Sequence, residues 1–307
     1  MRLLTCLLLS AATIGAQTPV APAPQPGTDI YLLPLSGGLA SMRSAAPTPV
    51  ATDKGYDNQP FFDPDSRRLL FTGNRDGKQT DIYEFDRASK TTRQLTRTAE
   101  GEFSATVPPA RPGTPALNRD GFTVIRVEPD GTQRLWQFDR AGGEPRLVLT
   151  DIKPVGYHAW VDADHLALFV LGQPATLQLA RVTTGKAEVA ARDIGRSLHR
   201  VPGTRLVSFV QKEASGAYNA KTIDIDSGRI ETLVATVEGS ADRDCAWMPD
   251  GKTLLMSSGT RIMKWTRGDA GWSEVFDAAP HKLGAISRLA VAPSGDAVAI
   301  VVAEPKP

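Results

Sequence analysis

A short phrase recurs along this chain, and the recurrence restricts the fold more than any other feature of the sequence. Each copy joins an aromatic or apolar residue, a turn and an apolar run, as in WMPDGKTLLM from Trp247 and FDPDSRRLLF from Phe62. The other copies are LNRDGFTVIRV from Leu117, WVDADHLALFV from Trp160, HRVPGTRLVSF from His199 and LAVAPSGDAVAI from Leu289. Copies that return about every 40 to 55 residues indicate an array of similar structural units.

The phrase predicts a β-hairpin. Proline presets φ for a turn, aspartate bonds back to the backbone, and glycine accepts the positive φ that completes the reversal. The apolar run after the turn, for example LALFVLG from Leu166, is typical of a strand buried on both faces. Each copy therefore supplies the first and second strands of a unit.

A further strand with alternating residues follows five of the turns and predicts the third strand of each unit. These strands are DIYEFD from Asp81, RLWQFD from Arg134, TLQLARV from Thr176, KTIDID from Lys221 and RIMKWT from Arg261. Polar turns and short strands such as TRQLT and RIETLV complete four strands. A four-stranded antiparallel unit of about 45 residues has the size of a propeller blade.

The two ends of the chain supply one further unit between them. The last hairpin, from about Ile286 to Ala303, has no third or fourth strand after it, whereas DIYLLPLSGG from Asp29 copies DIYEFDRASK and precedes a candidate strand within 39–50. We therefore predict an all-β fold over residues 29–304, a six-bladed β-propeller of four-stranded antiparallel blades. The N- and C-terminal strands close the sixth blade, which removes the open sheet edges that invite aggregation.

The repeat resembles that of the TolB-like six-bladed β-propellers, most closely in WMPDGKTLL and in FFDPDSRRLLF followed by DIYEFD. The resemblance covers about residues 29–304 and implies the propeller fold. The same repeat occurs in periplasmic interaction proteins and in the propellers of prolyl-oligopeptidase-like enzymes, so it does not fix the activity. TolB carries an additional α/β domain before its propeller, which we do not expect here, and the role of TolB in the Tol-Pal system is therefore not transferred.

The first residues predict export. Arg2 precedes an apolar run that ends in small residues, which is the layout of a secretory signal peptide, residues 1–16, with cleavage after Ala16. The run is too short to span a membrane. Residues 17–28 form a Pro-rich linker, and we expect a periplasmic or secreted protein. The alternative that Cys6 is a lipid acceptor is less favoured, because almost no apolar stretch precedes it.

Charge and cysteine content exclude several classes of partner and bond. The net charge is +1, so no general field attracts nucleic acid or anionic lipid. Once Cys6 is lost with the signal peptide, Cys245 has no partner for an intramolecular disulfide, and we predict that it is a buried, small apolar residue. We expect a monomer without a membrane span.

Motifs of catalysis and of cofactor binding are missing from the sequence. GRSLH from Gly195 and GWSEV from Gly271 lack the second glycine of a nucleophile elbow, and GKT from Gly251 lacks the upstream glycine of a P-loop. The four histidines do not have H-E-x-x-H spacing. We predict no catalytic residue, no cofactor and no dedicated metal site.

One set of residues nevertheless points to a binding site. If the first strand of each blade is innermost, as the resemblance implies, the residues around its start converge from six segments on one mouth of the channel. Such a mouth suits a peptide or a small polar ligand. The predicted ligand-binding residues are Asp57, Asn58, Tyr157, His158, Arg196, His199, Arg243, Asp244 and Arg288, with Gln59, Glu102, Ser104 and Ser287 beside them.

Two functions remain open at this point. The first is a non-enzymatic, exported propeller that binds a protein or peptide partner at the channel mouth. The second is a metal-dependent hydrolase or lyase that acts on a lactone or carbohydrate, with ligands drawn from Asp57, Asn58, His158, His199 and Asp244. We favour the first, because the charges of Arg196, Arg243 and Arg288 would repel a cation. For any single member of the set, the alternative is a purely structural role in bonding neighbouring blades.

Overall fold

The computed structural model describes residues 25–75, 77–109, 121–240 and 243–304. The predicted signal peptide, Cys6 and most of the predicted linker lie outside these residues. The described chain is all-β, with two short 3-10 helices, Ala40–Ser44 and Ala279–His281, between strands. No helix within these ranges is long and apolar enough to cross a membrane.

Seven strands lie in the N-terminal part of the described chain. The first three are β1 (Thr28–Pro34), β2 (Ser36–Leu39) and β3 (Thr48–Ala51). The next four are β4 (Tyr56–Phe62), β5 (Arg68–Asn74), β6 (Asp81–Asp86) and β7 (Thr91–Gln94). The predicted third strand DIYEFD has the same bounds as β6.

Four separate sheets of four antiparallel strands follow, each built from consecutive strands. The first contains β8 (Gly101–Thr106), β9 (Phe122–Val127), β10 (Gln133–Phe138) and β11 (Arg146–Leu147). The second contains β12 (Val155–Trp160), β13 (His165–Val170), β14 (Thr176–Arg181) and β15 (Lys186–Arg192). The third contains β16 (Ile194–Arg200), β17 (Leu206–Lys212), β18 (Tyr218–Asp224) and β19 (Ile230–Ala235). The fourth contains β20 (Cys245–Trp247), β21 (Thr253–Ser258), β22 (Arg261–Thr266) and β23 (Ser273–Asp277). The predicted four-stranded antiparallel units are confirmed.

The last two strands, β24 (Ile286–Val291) and β25 (Ala297–Ala303), join the N-terminal strands in one larger sheet. Its order is β24-β25-β1-β4-β5-β6-β7, and β3 pairs with β1. Strand β1 pairs with β25 along its whole length, so that Tyr31 lies opposite Ile300 and Leu33 opposite Val298. The two ends of the chain therefore meet in one sheet, as the sequence predicts. By contrast, β1 and β4 are joined by a single parallel pair, Thr28 with Tyr56.

Aspartate side chains close the hairpin turns between first and second strands. The Asp250 carboxylate accepts the backbone N–H groups of Lys252 and Thr253, both at 2.8 Å. In the copy WVDADH, which has no proline, the Asp162 carboxylate accepts the equivalent pair at 2.7 and 2.8 Å. This side-chain bonding compensates for the missing proline, because an Asx turn fixes the reversal by itself.

The first strands of the sheets surround the centre of the molecule. Going round, β4 contacts β8, β8 contacts β12, β12 contacts β16, β16 contacts β20, β20 contacts β24, and β24 contacts β4. The apolar core lies between neighbouring sheets. In one cluster Leu33 of β1 packs with Phe276 of β23 and Leu289 of β24. The first strands thus bring residues that are far apart in sequence to one central space.

Candidate functional site

A cavity of about 550 Å³ occupies this central space. Its volume lies within the roughly 300–1,000 Å³ that is usual for ligand sites in proteins. The lining residues belong to the first strands and to the segments that follow them, except Asp244, which immediately precedes β20. They are drawn from the segments 59–64, 104–109, 157–160, 196–203, 244–249 and 288–293.

The cavity has two chemically different ends. At the polar end lie Gln59, Ser104, Tyr157, His158, Arg196, His199, Asp244 and Arg288, which come early in their segments. At the turn end lie the prolines of four hairpin turns and Pro109 after β8, together with aromatic side chains that end the first strands. These residues are Phe62, Pro64, Pro109, Trp160, Pro202, Trp247, Pro249 and Pro293. Neighbouring turns touch at this end, because the Ser294 N–H donates to Ser66 Oγ at 2.9 Å.

Irregular strand pairing positions the side chains of the polar end. The register between first and second strands shifts between Asn58 and Phe61 in β4 and between Phe103 and Thr106 in β8. Strands β12, β16 and β24 carry equivalent shifts near their starts. Gln59, within the β4 irregularity, has a φ of 57°. A β-bulge turns a side chain away from the normal alternation of a strand, so each of these strands aims polar groups into the channel.

A chain of hydrogen bonds crosses the polar end. Nη2 of Arg288 in β24 donates to the Tyr157 hydroxyl of β12 at 2.6 Å, and the guanidinium lies 5.0 Å from the centre of the Tyr157 ring. Nε2 of Gln59 in β4 donates to the same hydroxyl at 3.4 Å. The Gln59 amide oxygen accepts the backbone N–H of Ser104 at 2.8 Å. These contacts link four first strands across the cavity.

One carboxylate lies beside these groups. Asp244 accepts the backbone N–H of Leu289 at 2.8 Å, and its other oxygen lies 3.7 Å from Nη1 of Arg288. Burial raises the pKa of Tyr56 to about 12, while the charges of Arg288 and Arg196 oppose this shift. Both arginines also line the cavity.

His158 is held as a neutral imidazole. Its Nε2 lies 2.7 Å from Thr106 Oγ1 and 2.8 Å from Thr123 Oγ1. Within the described chain its Nδ1 has no hydrogen-bond partner. Burial alone lowers the pKa of His158 to about 3. This histidine therefore adds no charge to the cavity near neutral pH, and its polar contacts tie β12 to the preceding sheet.

The buried state of His158 predicts a loss of stability in acid. The unfolded chain takes up a proton on this side chain near its ordinary pKa of about 6.5, whereas the folded chain does so near 3. The free energy of unfolding should therefore fall as the pH drops below about 6.5, by about 2 kcal/mol at pH 5 from this group. Urea unfolding at pH 7 and pH 5 checks this against His158→Gln, which does not titrate. Parallel pH profiles for the two proteins would contradict it.

His199 and Ser197 form a second polar pair in the lining. His199 Nε2 lies 3.1 Å from Ser197 Oγ, which also accepts the backbone N–H of Cys245 at 3.1 Å. Burial lowers the pKa of His199, Asp244 opposes this shift and Arg288 adds to it. Burial also raises the pKa of the Cys245 thiol to about 12. Cys245 is 1% exposed, so the prediction that it is buried is confirmed.

Six of the nine predicted site residues line the cavity, namely Tyr157, His158, Arg196, His199, Asp244 and Arg288. Asp57 and Asn58 lie elsewhere and hold the start of β1. The Asp57 backbone carbonyl accepts the Thr28 hydroxyl at 2.8 Å, and the Asn58 amide donates to the same hydroxyl at 3.4 Å. The Asp57 carboxylate is fully buried, 2.6 Å from Nη1 of Arg75. Even so, burial raises its pKa to about 7.

The third residue away from the cavity is Arg243, whose guanidinium lies 3.6 Å from the centre of the Tyr218 ring. Glu102, from the wider predicted set, is fully buried and lies 3.5 Å from Nε of Arg126. Burial raises the pKa of Glu102 to about 7. Both residues stabilise contacts within the propeller wall rather than face the cavity.

The sequence analysis missed the turn end of the cavity. The prolines of the repeated phrase, among them Pro202, Pro249 and Pro293, were interpreted only as turn residues, and no binding role was predicted for Trp160 or Trp247. The indole N–H of Trp247 also bonds to the neighbouring sheet, since Nε1 donates to Ser208 Oγ at 2.8 Å. The available signal was the repeat itself, because residues at equivalent positions of a closed ring converge at its centre.

The lining does not offer an evident metal site. Across the described ranges, no group of three or more His, Cys, Asp and Glu side chains is placed to hold a metal ion. Nε2 of His158 is already within hydrogen-bond distance of two threonine hydroxyls. The arrangement instead provides guanidinium, phenol and amide groups at the polar end and proline and aromatic side chains at the turn end, which suits non-covalent binding.

Comparisons with known proteins bear on the fold. No family model matches the sequence, and no curated protein matches it. Among solved structures, one described as TolB from Agrobacterium tumefaciens is similar at a TM-score of 0.68 with 17% identity, over 92% of this chain and 100% of that one.

Two other similar structures are of different proteins. A chain of the nidogen/laminin complex is similar at a TM-score of 0.60 with 12% identity, over 86% of this chain and 98% of that one. An oligogalacturonate lyase in complex with manganese is similar at a TM-score of 0.50 with 18% identity, over 81% of this chain and 70% of that one. Identities this low establish the fold alone, and the fold of this chain is that of a TolB-like β-propeller.

Proposed function

We propose that this chain is an exported, non-enzymatic six-bladed β-propeller that binds a protein or peptide partner in its central cavity. The observation that carries the proposal is the cavity itself, in which six distant segments place hydrogen-bonding and charged groups at one end and proline and aromatic side chains at the other. A peptide has both kinds of surface, a polar backbone and apolar side chains. A cavity with two such ends is therefore complementary to it.

Two features support six blades. The larger sheet divides at the single residue pair that joins β1 to β4, which leaves β24-β25-β1-β3 and β4–β7 as two four-stranded blades. With the four separate sheets, this division makes six. The contacts among the first strands also form a cycle of six members. Residues 29–304 then form one domain.

The surroundings of the domain complete the proposal. Residues 1–16 act as a signal peptide and 17–27 as a linker, since Thr28, the last residue of the predicted linker, is the first residue of β1. The signal peptide delivers the propeller to the periplasm or the exterior. The propeller acts as a monomer and does not bind nucleic acid, in keeping with a net charge of +1. Binding of a protein is also in keeping with the fold, because one similar structure is a chain of a complex between nidogen and laminin.

The second candidate is a metal-dependent hydrolase or lyase for a lactone or carbohydrate. It is favoured by the likeness to a lyase solved with manganese and by the presence of His158 and His199 in one cavity. Against it, Arg196 and Arg288 line the same cavity, and their charges repel a cation. Metal analysis of the purified protein separates the two candidates, since stoichiometric metal and a melting temperature that falls with chelator would support the enzyme.

Blocking the cavity tests the binding proposal. In a Cys6→Ser background, Arg200→Cys places an exposed thiol in the lining, while the native Cys245 is 1% exposed and does not compete. We expect the unlabelled variant to capture a partner from an envelope extract and the variant carrying a bulky maleimide to capture at least tenfold less.

The matched control is Ser227→Cys, in an exposed turn outside the cavity lining, which should capture equally well with and without the label. Mass spectrometry of the retained proteins provides the measurement. Equal capture by the labelled and unlabelled Arg200→Cys protein would reject the cavity as the binding site.

A further inference from the structure

Arg288 is buried more deeply than its hydrogen bonds explain. Its side chain is 10% exposed. A guanidinium has five N–H donors, yet in the described structure Arg288 donates one hydrogen bond, from Nη2 to the Tyr157 hydroxyl. The carboxylate of Asp244 lies 3.7 Å from Nη1, which is beyond hydrogen-bond length. Donors therefore remain on a buried cation that lines the cavity.

The described lining carries more positive than negative side chains. Among these residues, three arginines, Arg196, Arg200 and Arg288, accompany one aspartate, Asp244. The two lining histidines do not offset or enlarge this charge at neutral pH, because burial lowers the pKa of both. Tyr157 and Asp244 favour the charged form of Arg288, but donors remain on its guanidinium, and an anion entering the cavity would accept hydrogen bonds from them.

The positive groups are concentrated at the polar end. Arg196 and Arg288 come first in their lining segments, 196–203 and 288–293, whereas Arg200 is exposed near the hairpin turn and donates from Nε to the Thr204 carbonyl at 3.0 Å. The opposite end offers proline and indole surfaces. A matching ligand therefore carries an anionic group at one end and an apolar body at the other.

We propose that the partner enters the cavity as a peptide whose carboxylate is bound by Arg288 and Arg196, with its neighbouring apolar residue against the prolines and tryptophans of the turn end. This inference rests on the proposed function and specifies the group that the cavity recognises. The planar fork of a guanidinium matches the two oxygens of a carboxylate. Two sources supply the same group, an aspartate or glutamate side chain and the C-terminus of a chain.

Paired probes distinguish the carboxylate from the rest of the peptide, and one source from the other. The first pair is acetyl-Gly-Pro-Phe-Glu amide and acetyl-Gly-Pro-Phe-Gln amide, which differ only in the side-chain charge. The second pair is acetyl-Gly-Pro-Gln-Phe as the free acid and as the amide, which differ only at the C-terminus. Calorimetric titration of the full chain should show that the acid of at least one pair binds about tenfold or more tightly than its neutral twin.

Two variants test whether Arg288 causes the preference for the acid peptide. Arg288→Gln should remove it, and Arg288→Lys should retain part of it, because the lysine keeps the charge but loses the fork. The matched control is Arg146→Gln, which removes the same charge from an exposed side chain outside the cavity and should keep the full preference. The melting temperature of each variant reports whether it is folded. The comparison of acid and neutral peptides on the unaltered protein tests the inference even if a variant fails to fold.

The outcomes separate this inference from the binding proposal. Equal affinity for acid and neutral twins, or a preference that survives Arg288→Gln, would overturn the inference while the maleimide experiment continues to test cavity binding on its own. Failure of every probe to bind would also overturn it. A preference for the acid of one pair, lost in Arg288→Gln and kept in Arg146→Gln, supports the inference and names the source of the carboxylate.

Discussion

Deletion of residues 29–50 is expected to leave a chain that cannot fold. The deletion removes nearly all of β1 and most of β3, and it leaves one edge of β25 without its partner strand, although residues Ala297–Val302 of β25 are almost completely buried in the intact protein. Ile30, Leu33 and Leu35 are also buried. Loss of about 1.5–3 kcal/mol for each approaches the whole stability of a typical domain, about 5–15 kcal/mol.

The expected readout is loss of a cooperative melting transition, together with aggregation seen by light scattering, because an open sheet edge templates association. Deletion of residues 1–24 is the matched control and should leave the melting temperature unchanged, since the described pairing starts at Thr28. Leu33→Asp gives the same test without truncation, because it places a charge at a fully buried position opposite Val298. A monomeric 29–50 deletion with an unaltered melting temperature would contradict the account.

Gly251→Ala is expected to destabilise the protein by about 2–5 kcal/mol. Gly251 closes the turn of WMPDGK with a φ of 62°, a region that costs an L-residue about 1–2 kcal/mol. A Cβ atom there would lie 2.6 Å from the Pro202 carbonyl oxygen of the neighbouring sheet. Overpacking of this kind adds about 1–3 kcal/mol, and because Pro202 lines the turn end, the shift should also widen the cavity.

Gly203 provides a matched control in the equivalent turn of HRVPGTR. It has a φ of 73°, but a Cβ there would meet no atom within 4 Å. Gly203→Ala should therefore show only the backbone cost of about 1–2 kcal/mol. Chemical unfolding of both variants measures the difference between their free energies of unfolding. This difference is the energetic cost of the close contact between position 251 and Pro202 of the neighbouring sheet. Equal destabilisation by the two substitutions would show that the turns do not pack as described.

The fold could be predicted from the sequence because the repeat carries its own turn chemistry. The phrase around Asp250 specifies a hairpin by local bonds, and the run AVAIVVA of β25 is buried as its composition indicates. The pairing of β1 with β25 could also be predicted, because DIYLLP copies DIYEFD and because the last hairpin has no third or fourth strand after it. Within 39–50 the prediction was less accurate, since a 3-10 helix, Ala40–Ser44, precedes the short strand β3.

The site could be predicted only in part, because the direction of a side chain in a bulged strand is not visible in the sequence. Tyr157 and Arg288 follow register shifts that turn them into the cavity. Asp57 comes before the shift in β4 and points into the wall, where it meets Arg75. The bulges depend on pairing between strands, and the hydrogen bond from Arg288 to Tyr157 joins two different sheets and residues 131 positions apart.

A crystal structure with the tightest-binding probe peptide is the most direct test that the central cavity is the binding site. The account predicts density for the peptide in the cavity, with its carboxylate within hydrogen-bond distance of Arg288 and its phenylalanine among Trp160, Pro202 and Pro249. Peptide density on the outer surface of the sheets, with the cavity free of peptide, would contradict the account.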